Sequence, residues 1–396
     1  MNIYQILGRD KSLFAKDING SLSSDLSEIV KNSSFLVVGA AGTIGRAVSR
    51  EIFVRDPKLL HLVDISENNL VETVRDLRSS VGYGSGEFKT FCLDYGGEEF
   101  QQFITKAQNY DYILNLAAMK HVRSERDPFT ALRMLKTNIS FTVKLAKVAR
   151  RMQVKNYFCV STDKAANPVN LMGASKRAME LFLNRESASL NISLARFANV
   201  AFSDGSLLHG FSQRVAKQQP ITAPRDIERY FISPQESGEL CLVSCIFGAN
   251  RDIFFPSPNT GLKLVNFQDV AKRYITELKY EIKEYDSEDE ARSMARTDIV
   301  NGRWPCYFFD TDTAGEKPYE EFYTKNEKID VVTYRTFGVI KNQLRFDDGI
   351  LNEFAIELER MSGRSDILVS DLSAAIAKLV PDFVHYSKDK SLDERM

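Results

Sequence analysis

Residues 35–45 read FLVVGAAGTIG, an apolar run that passes directly into a segment with glycine at every third position. The apolar run predicts a buried strand, and the residues from Thr43 onward predict a helix. Strand and helix patterns then alternate as far as residue 200, which is typical of a parallel sheet with helices on both faces. The sequence therefore predicts an α/β fold with a Rossmann-type doubly wound parallel sheet.

The pattern of elements changes along the chain and divides it into four segments. Residues 1–33 predict two short helices as an N-terminal extension, and residues 34–200 predict the Rossmann domain. A strand near 253–256 is expected to return to the main sheet. Residues 201–345 otherwise predict a smaller mixed lobe, and residues 346–396 predict two amphipathic helices and a tail.

The composition excludes several classes of protein. The 396 residues carry 52 basic and 53 acidic side chains, so no global field recruits nucleic acid or an anionic membrane. No apolar run approaches the roughly 20 residues of a membrane span, and the N-terminus lacks a signal-peptide core. The five cysteines show no metal-ligand spacing and indicate reduced thiols. We expect a cytoplasmic protein without a metal site, and residues 280–293 as a charged surface stretch.

Glycines between a strand and a helix form the context that a dinucleotide fingerprint requires. Gly39 allows a tight turn, Gly42 lets the backbone approach a pyrophosphate, and Gly45 permits close packing of helix on sheet. The helix N-terminus at Thr43 and Ile44 favours the phosphate charge. These residues predict a bound nicotinamide dinucleotide.

Asp64 ends the second predicted strand, where a carboxylate can accept hydrogen bonds from the adenosine ribose hydroxyls and repel a 2′-phosphate. This favours NAD, although Arg46 lies close enough in sequence to contact a 2′-phosphate, so NADP stays possible. Asp64 has an alternative role as N-cap of the helix that begins at Ser66. Ala117 and Ala118 leave room for the cofactor, and small residues there also suit close packing.

The most informative stretch is VSTDKAANPVNLMGASKRAMEL, residues 160–181. It resembles the active-site run of the UDP-N-acetylglucosamine 4,6-dehydratases of bacterial polysaccharide and flagellin-sugar biosynthesis, and the glycine spacing is similar to that of extended short-chain dehydrogenases/reductases. The resemblance covers roughly residues 35–325. Other motifs match in order: AAMKHVRSERDP (117–128), KTN (136–138), ARFANV (195–200), DGSLLHGF (204–211), RYF (229–231) and GEKPYEEF (315–322).

This resemblance implies an enzyme that oxidises a UDP-sugar at carbon 4, eliminates water across carbons 5 and 6, and returns the hydride. Elimination needs a base for the carbon-5 proton and an acid for the carbon-6 hydroxyl. The resemblance assigns the acid to Asp163 and the base to Lys164. A base must be partly neutral, so we expect burial or a neighbouring cation to lower the pKa of Lys164. The alternative for the two side chains is a surface ion pair.

The Tyr-x-x-x-Lys pattern of the superfamily here runs from Met172 to Lys176, so the tyrosine is missing. Lys176 can still hold the nicotinamide ribose, but a thioether cannot exchange protons with the carbon-4 hydroxyl. A subset of these dehydratases resembles this sequence in having Met. Thr162 is the candidate proton relay, or else a hydroxyl that caps a strand end. For Asn138 we expect a structural role at a local helix distortion.

Four further residues are candidates for substrate binding, again by resemblance. Lys120 is expected to contact substrate or cofactor, and Asn199 to face the sugar or phosphate. Arg225 and Arg229 lie in the predicted lobe, and guanidinium groups bind phosphate with two hydrogen bonds, although surface arginines are common. Asp94 resembles an adenine-contacting acid, and a turn residue is its alternative.

Two other functions stay open at this point. A UDP-sugar 4-epimerase shares the cofactor and the first oxidation but needs no acid at carbon 6. A non-catalytic dinucleotide-binding sensor is compatible with the missing tyrosine. The adjacent Asp163 and Lys164 favour the dehydratase over both. We also expect a UDP-sugar as the binding partner and a homo-oligomer.

Overall fold

The computed structural model of the protein describes residues 1–107, 109–311, 320–342 and 345–383. The strands in these residues are β1 (Ser34–Val38), β2 (Leu59–Asp64), β3 (Glu87–Cys92), β4 (Tyr112–Asn115), β5 (Asn156–Thr162), β6 (Ile192–Phe197), β7 (Asn199–Val200), β8 (Ile221–Pro224), β9 (Glu228–Ile232), β10 (Asp252–Pro256), β11 (Leu264–Asn266), β12 (Glu281–Tyr285), β13 (Arg303–Phe309), β14 (Ile329–Asp330) and β15 (Phe337–Lys341). The helices are α1 (Ile3–Ile6), α2 (Ser23–Lys31), α3 (Thr43–Phe53), α4 (Glu67–Ser80), α5 (Glu98–Lys106), α6 (Pro128–Leu135), α7 (Thr142–Arg151), α8 (Leu171–Glu186), α9 (Leu207–Ala216), α10 (Pro234–Phe247), α11 (Phe267–Glu277), α12 (Glu288–Val300), α13 (Asp348–Ser362) and α14 (Val369–Leu379).

Within these residues the main sheet has nine strands in the order β14-β15-β10-β6-β5-β4-β1-β2-β3. Every neighbouring pair from β3 to β10 is parallel, whereas β15 is antiparallel to both β10 and β14. Strands β4 and β6 are buried along their whole length, as expected for a parallel sheet covered on both faces. The predicted Rossmann-type α/β fold is confirmed.

The order of the strands reverses between β1 and β4, so the connections from these two strands lead to opposite sides. Ligands of open α/β sheets bind in the crevice beyond the carboxyl ends of the strands at such a point. The predicted strand at 156–162 coincides with β5. The predicted returning strand is β10, which pairs in parallel with β6.

Two small sheets make up the lobe, in the orders β11-β9-β7 and β12-β13-β8. Residues 280–293 lie at the surface and form β12 and the start of α12. Helix α10 packs on α3, and β10 and β15 belong to the main sheet. Residues 201–345 therefore contribute to both parts of the molecule, and the chain crosses between them more than once.

The N-terminal residues 1–33 run across both parts. Ile6 belongs to the apolar core of the lobe, whereas Phe14 and Leu26 belong to the main core. The buried carboxylate of Asp17 accepts hydrogen bonds from the Thr336 backbone N–H at 2.7 Å and from its hydroxyl at 2.5 Å, next to β15. The segment is thereby tied to the main sheet.

At the other end of the chain, α13 and α14 pack against α6 and α8. Their apolar faces, with Phe354 and Ile376, extend the main core. Among the described helices, none combines the length and the apolar character needed to cross a membrane.

The Asp17 contact generates a prediction about stability. Asp17→Ala leaves a buried N–H and a buried hydroxyl of Thr336 without this partner, which costs about 1–3 kcal/mol. Urea unfolding should show the loss as a lower midpoint. The control is Asp25→Ala on the exposed face of α2, where we expect a change within about 0.5 kcal/mol. Equal midpoints for the two variants would contradict the role of Asp17.

Candidate active site

The glycines after β1 serve different purposes. Gly39 has φ +78°, and a Cβ there would lie 2.4 Å from the backbone N of Ala117. A Cβ on Gly45 would lie 2.0 Å from the carbonyl oxygen of Gly39. A Cβ on Gly42 would find its nearest neighbour at 3.8 Å. Backbone packing thus requires Gly39 and Gly45, whereas Gly42 leaves space beside the helix N-terminus.

A cavity of about 220 Å³ lies at the carboxyl ends of the strands where their order reverses. A cavity with a few polar groups at this position of an α/β sheet is the usual place for a nucleotide ligand. It collects most of the predicted cofactor-binding residues. Those that line it are Gly39, Gly42, Asp64, Asp94, Ala117 and Ala118. Thr43, Ile44 and Gly45 form the first turn of α3 beside it.

Two carboxylates in the cavity wall have defined hydrogen bonds. Asp64 accepts from the backbone N–H groups of Ala41 and Ser66, each at 2.9 Å. The N-cap of α4 is Ser66, so the alternative of Asp64 as N-cap is wrong. Asp94 accepts from the Gly96 N–H at 2.9 Å, so it shapes a turn as well as lining the cavity.

Asp204 links the lobe to the glycine turn. Its carboxylate accepts from the Thr43 hydroxyl at 3.0 Å and pairs with the guanidinium of Arg46 at 3.0 Å. Both charged side chains are partly exposed, so the pair adds little stability. Its consequence is local, because the charge of Arg46 already has a partner. The sequence contained Asp204 in the DGSLLHGF motif, but nothing local singled it out.

The predicted acid and base lie together at the end of β5. Asp163 is 4% exposed, and its Oδ1 accepts from the Thr162 hydroxyl and from the Lys164 backbone N–H, each at 2.8 Å. The Nζ of Lys164 lies 3.2 Å from the same oxygen. The two groups therefore form a pair in which Asp163 is buried and Lys164 is partly buried, in contrast to the surface ion pair that the sequence left open.

Lys164 is surrounded by more charges than the sequence revealed. Its Nζ lies 3.6 Å from Oε1 of Glu320. Burial, the largest single effect, lowers the pKa of Lys164, but the charges of Asp163 and Glu320 outweigh burial, and the pKa is raised from its ordinary value. Arg229 opposes this rise only in part. The predicted lowering of the pKa of Lys164 is wrong in this structure, because the charges of Asp163 and Glu320 stabilise the ammonium form.

Lys176 lies on α8, and its side chain contacts β5, the strand that ends at the pair. It is 4% exposed, its Nζ donates to the carbonyl of Val160 at 3.0 Å, and burial lowers its pKa. Met172, at the position of the missing tyrosine, is also buried. Its backbone N–H donates to the buried Glu125 at 2.9 Å. The first turn of α8 is held without any hydroxyl at residue 172.

Asn138 lies in a π-helical turn, Lys136–Phe141, between α6 and α7. Its amide donates to the carbonyl of Met119 at 3.0 Å and accepts from the N–H of the same residue at 3.0 Å. A further bond reaches the hydroxyl of Ser175 at 2.9 Å. The expected structural role at a helix distortion is confirmed, and the turn fixes the loop after β4 to α8.

Two of the predicted substrate residues, Lys120 in the loop after β4 and Asn199 on β7, lie where the main sheet meets the lobe. The Nζ of Lys120 lies 3.3 Å from the hydroxyl of Ser203, and burial lowers the pKa of Lys120. Asn199 lies half-buried on β7, which pairs with β9. The hydrogen bond from Lys120 thus spans from the loop after β4 to the start of the lobe.

The two predicted arginines have different surroundings. Arg229 is 5% exposed and lies near enough to Lys164 for its charge to lower the pKa of that amine. Arg225 is half-exposed, donates to the carbonyl of Phe308 on β13, and has Asp310 at 3.7 Å. The structure therefore brings Arg229 near Lys164 and holds Arg225 against β13.

A cluster of buried charged side chains joins α8, β6 and the segment before β14. Arg196 is fully buried, and its Nη2 contacts Glu180 at 2.7 Å and Glu327 at 2.8 Å. Arg177 lies 3.2 Å from both carboxylates. Burial raises the pKa of Glu180, but the two arginines and their hydrogen bonds prevail and lower it to about 2. Arg196 also donates to the carbonyl of Phe322 at 2.9 Å, which anchors the segment that carries Glu320.

Sequence reasoning missed Glu320. It belongs to the GEKPYEEF motif, of which residues 315–319 lie outside the described residues. The motif indicated that the segment matters, but two adjacent glutamates gave no local signal for which one turns inward. In the structure Glu320 is buried and Glu321 is exposed.

Comparison with known proteins identifies relatives over most of the chain. The profile of the polysaccharide biosynthesis protein family matches residues 35–342. An uncharacterised membrane protein of Methanocaldococcus jannaschii is 30% identical over 340 residues, 81% of this chain and 90% of that protein. A UDP-N-acetylglucosamine 4,6-dehydratase (inverting) of Campylobacter jejuni is 28% identical over 232 residues, 56% of this chain and 66% of the enzyme. The chain spans half the length of EpsC of Bacillus subtilis, which it also matches.

Solved structures resemble the fold at lower sequence identity. Pen from Bacillus thuringiensis superimposes with a TM-score of 0.64 at 21% identity, over 80% of this chain and 89% of that one. DesIV, a dTDP-glucose 4,6-dehydratase of Streptomyces venezuelae, gives 0.56 at 13% identity, over 83% and 97%. At these identities the likeness supports the fold.

The glycine turn generates a prediction that separates binding from folding. Gly42→Ala adds a methyl group in the cavity wall without a backbone clash, so we expect the Kd for NAD to rise about tenfold or more. The free energy of unfolding, obtained from thermal unfolding curves, should change by less than about 1 kcal/mol. Calorimetric titration of cofactor-free protein measures the first quantity.

Gly210→Ala is the matched control, because a Cβ there meets nothing within 4 Å. Its Kd for NAD should equal that of the unchanged protein. A normal Kd in Gly42→Ala would mean that no dinucleotide passes over this turn.

Proposed function

The chain belongs to the polysaccharide biosynthesis protein family, and from this premise we propose that it is a UDP-N-acetylglucosamine 4,6-dehydratase that uses NAD. The observation that carries the proposal is the pair of the buried Asp163 and the partly buried Lys164 at the end of β5. Elimination of water from a hexose requires an acid and a base side by side, which an epimerase does not need. The Campylobacter jejuni dehydratase among the relatives supports the choice of substrate.

The residues around the cavity fit a nicotinamide dinucleotide. Gly42 leaves room at the N-terminus of α3 for a pyrophosphate. Asp64 already accepts two backbone hydrogen bonds, and a carboxylate has further lone pairs for ribose hydroxyls. Asp64 repels a 2′-phosphate and Arg46 is paired with Asp204, so we propose NAD over NADP.

When bound, the nicotinamide would take the hydride from carbon 4 and return it to carbon 6. The protein supplies the ammonium of Lys176, which donates to the carbonyl of Val160 and, at 3.9 Å, to the sulfur of Met179, and which has a third N–H for the nicotinamide ribose. Met172 cannot accept the proton of the carbon-4 hydroxyl. Thr162 can pass that proton on, because its own hydroxyl already donates to Asp163.

This route provides Asp163 with the proton that it needs. Protonated Asp163 gives its proton to the carbon-6 hydroxyl, which leaves as water, while Lys164 takes the proton from carbon 5. Protonation of Asp163 also removes one of the two negative charges that raise the pKa of Lys164. The ammonium of Lys164, which is 21% exposed, therefore gives up a proton to solvent more readily at the stage where the reaction requires a base. Lys164 later returns the proton taken from carbon 5 to that carbon, when carbon 6 receives the hydride.

We propose that side chains from the lobe and from the loop after β4 bind the substrate. We propose that Arg229 and Lys120 contact the diphosphate and that Asn199 faces the sugar. Arg225 lies against β13, and we propose that it forms the rim of the UDP site.

The function is tested by incubation of the purified protein with UDP-N-acetylglucosamine and mass spectrometry of the product. We expect a mass loss of one water. An altered sugar of unchanged mass would mean a 4-epimerase instead. An untouched substrate in the presence of bound NAD would favour a non-catalytic sensor.

The base is tested by Lys164→Ala. We expect bound dinucleotide to be retained and turnover to fall about 10²–10⁴-fold, the usual contribution of a general base. The matched control is Lys155→Ala, because Lys155 is exposed and immediately precedes the amino end of β5. Its turnover should stay within about twofold of the unchanged protein. Normal turnover in Lys164→Ala would rule out this amine as the base.

A further inference from the structure

Glu320 gives Lys164 a second negative partner. Its carboxylate is 5% exposed, and Oε1 lies 3.6 Å from the Nζ of Lys164. Asp163 occupies another side of the same amine at 3.2 Å. The two carboxylates come from distant parts of the chain and meet at one ammonium group.

The position of Glu320 is fixed by the residues that follow it. The carbonyl of Phe322 accepts from the buried guanidinium of Arg196 at 2.9 Å. The ring of Phe322 packs against Tyr230 and Phe255, with centroids 5.5 Å and 5.9 Å away. The turn beyond it is held by Glu327, whose Oε2 accepts from the N–H of Thr324 at 2.8 Å. Glu320 therefore approaches Lys164 from a segment that is anchored in the core.

Among the residues that the structure describes, the charged groups that face Lys164 come from three elements. Asp163 belongs to its own segment, Glu320 to the segment before β14, and Arg229 to β9. The two carboxylates favour the ammonium form, and burial and Arg229 favour the neutral amine. Once Asp163 is protonated for elimination, Glu320 is the carboxylate in this set that still faces the amine.

We propose that Glu320 is a positioning residue for Lys164, which holds the amine in the crevice and sets the pH range in which it acts as a base. This inference rests on the proposed function, since it concerns the base of the elimination. It differs from the family resemblance, which assigned Glu320 no role.

The test compares Glu320→Gln with Glu321→Gln, its exposed neighbour in the same segment. In Glu320→Gln the amine loses a negative partner, so the limb of kcat that rises with pH should move to lower pH. The ratio of kcat at pH 7 to kcat at the alkaline plateau should rise on the order of tenfold. Glu321→Gln should keep the profile of the unchanged protein. A Glu320→Gln profile that coincides with that of Glu321→Gln overturns the proposal.

A second measurement does not depend on activity. The rate at which acetic anhydride acylates Lys164, followed by peptide mass spectrometry across a pH series, reports the fraction of neutral amine. The labelling midpoint should move to lower pH in Glu320→Gln and lie between the two in Glu320→Asp, which keeps the charge at a greater distance. An unmoved midpoint overturns the role of Glu320. Failure of the unchanged protein to release water overturns the dehydratase, and the labelling result still decides the role of Glu320.

Discussion

Parallel strands end at the same edge of their sheet, and this constraint brings the candidate cofactor residues and the pair of Asp163 and Lys164 together. The turns after β1, β2, β4 and β5 all open at that edge, and the reversal between β1 and β4 separates the helices that would otherwise cover it. Close approach of the backbone at Gly39 and Gly45 keeps the first of these turns tight. The cavity and the pair of Asp163 and Lys164 follow from the same arrangement.

The second element of the design is a set of buried charges that balance. Arg196 and Arg177 face Glu180 and Glu327, so two positive groups meet two negative groups in the interior. Removing such ions from water costs several kcal/mol for each, and only dense mutual hydrogen bonding offsets this cost. The cluster joins β6, α8 and the segment before β14. The consequence of the cluster is positional, because Arg196 anchors the segment that carries Glu320 beside Lys164.

Local patterns predicted the fold well, because each strand of a parallel sheet is read from its own few residues. The stretch 156–162 and the returning strand β10 were identified in this way. Residues 280–293 were predicted only as a charged surface stretch, because β12 is an edge strand with mostly exposed side chains and thus lacks an apolar signature. Its pairing with β13 is a long-range contact that periodicity does not encode.

Protonation states in the candidate site also depend on long-range contacts that the local sequence does not encode. A motif identified Asp163 and Lys164, but the protonation of Lys164 depends on every charge within a few ångströms, whatever its position in the sequence. Burial alone favours a neutral amine, and the sequence-based expectation followed from burial. The charges of Asp163 and of Glu320, which comes from a segment anchored on Arg196, together reverse the balance. Lys164 is an ammonium in the resting site and must lose a proton before it can act as a base. Protonation of Asp163 makes this loss easier, and the hydrogen bond from Thr162 gives the proton a path to Asp163.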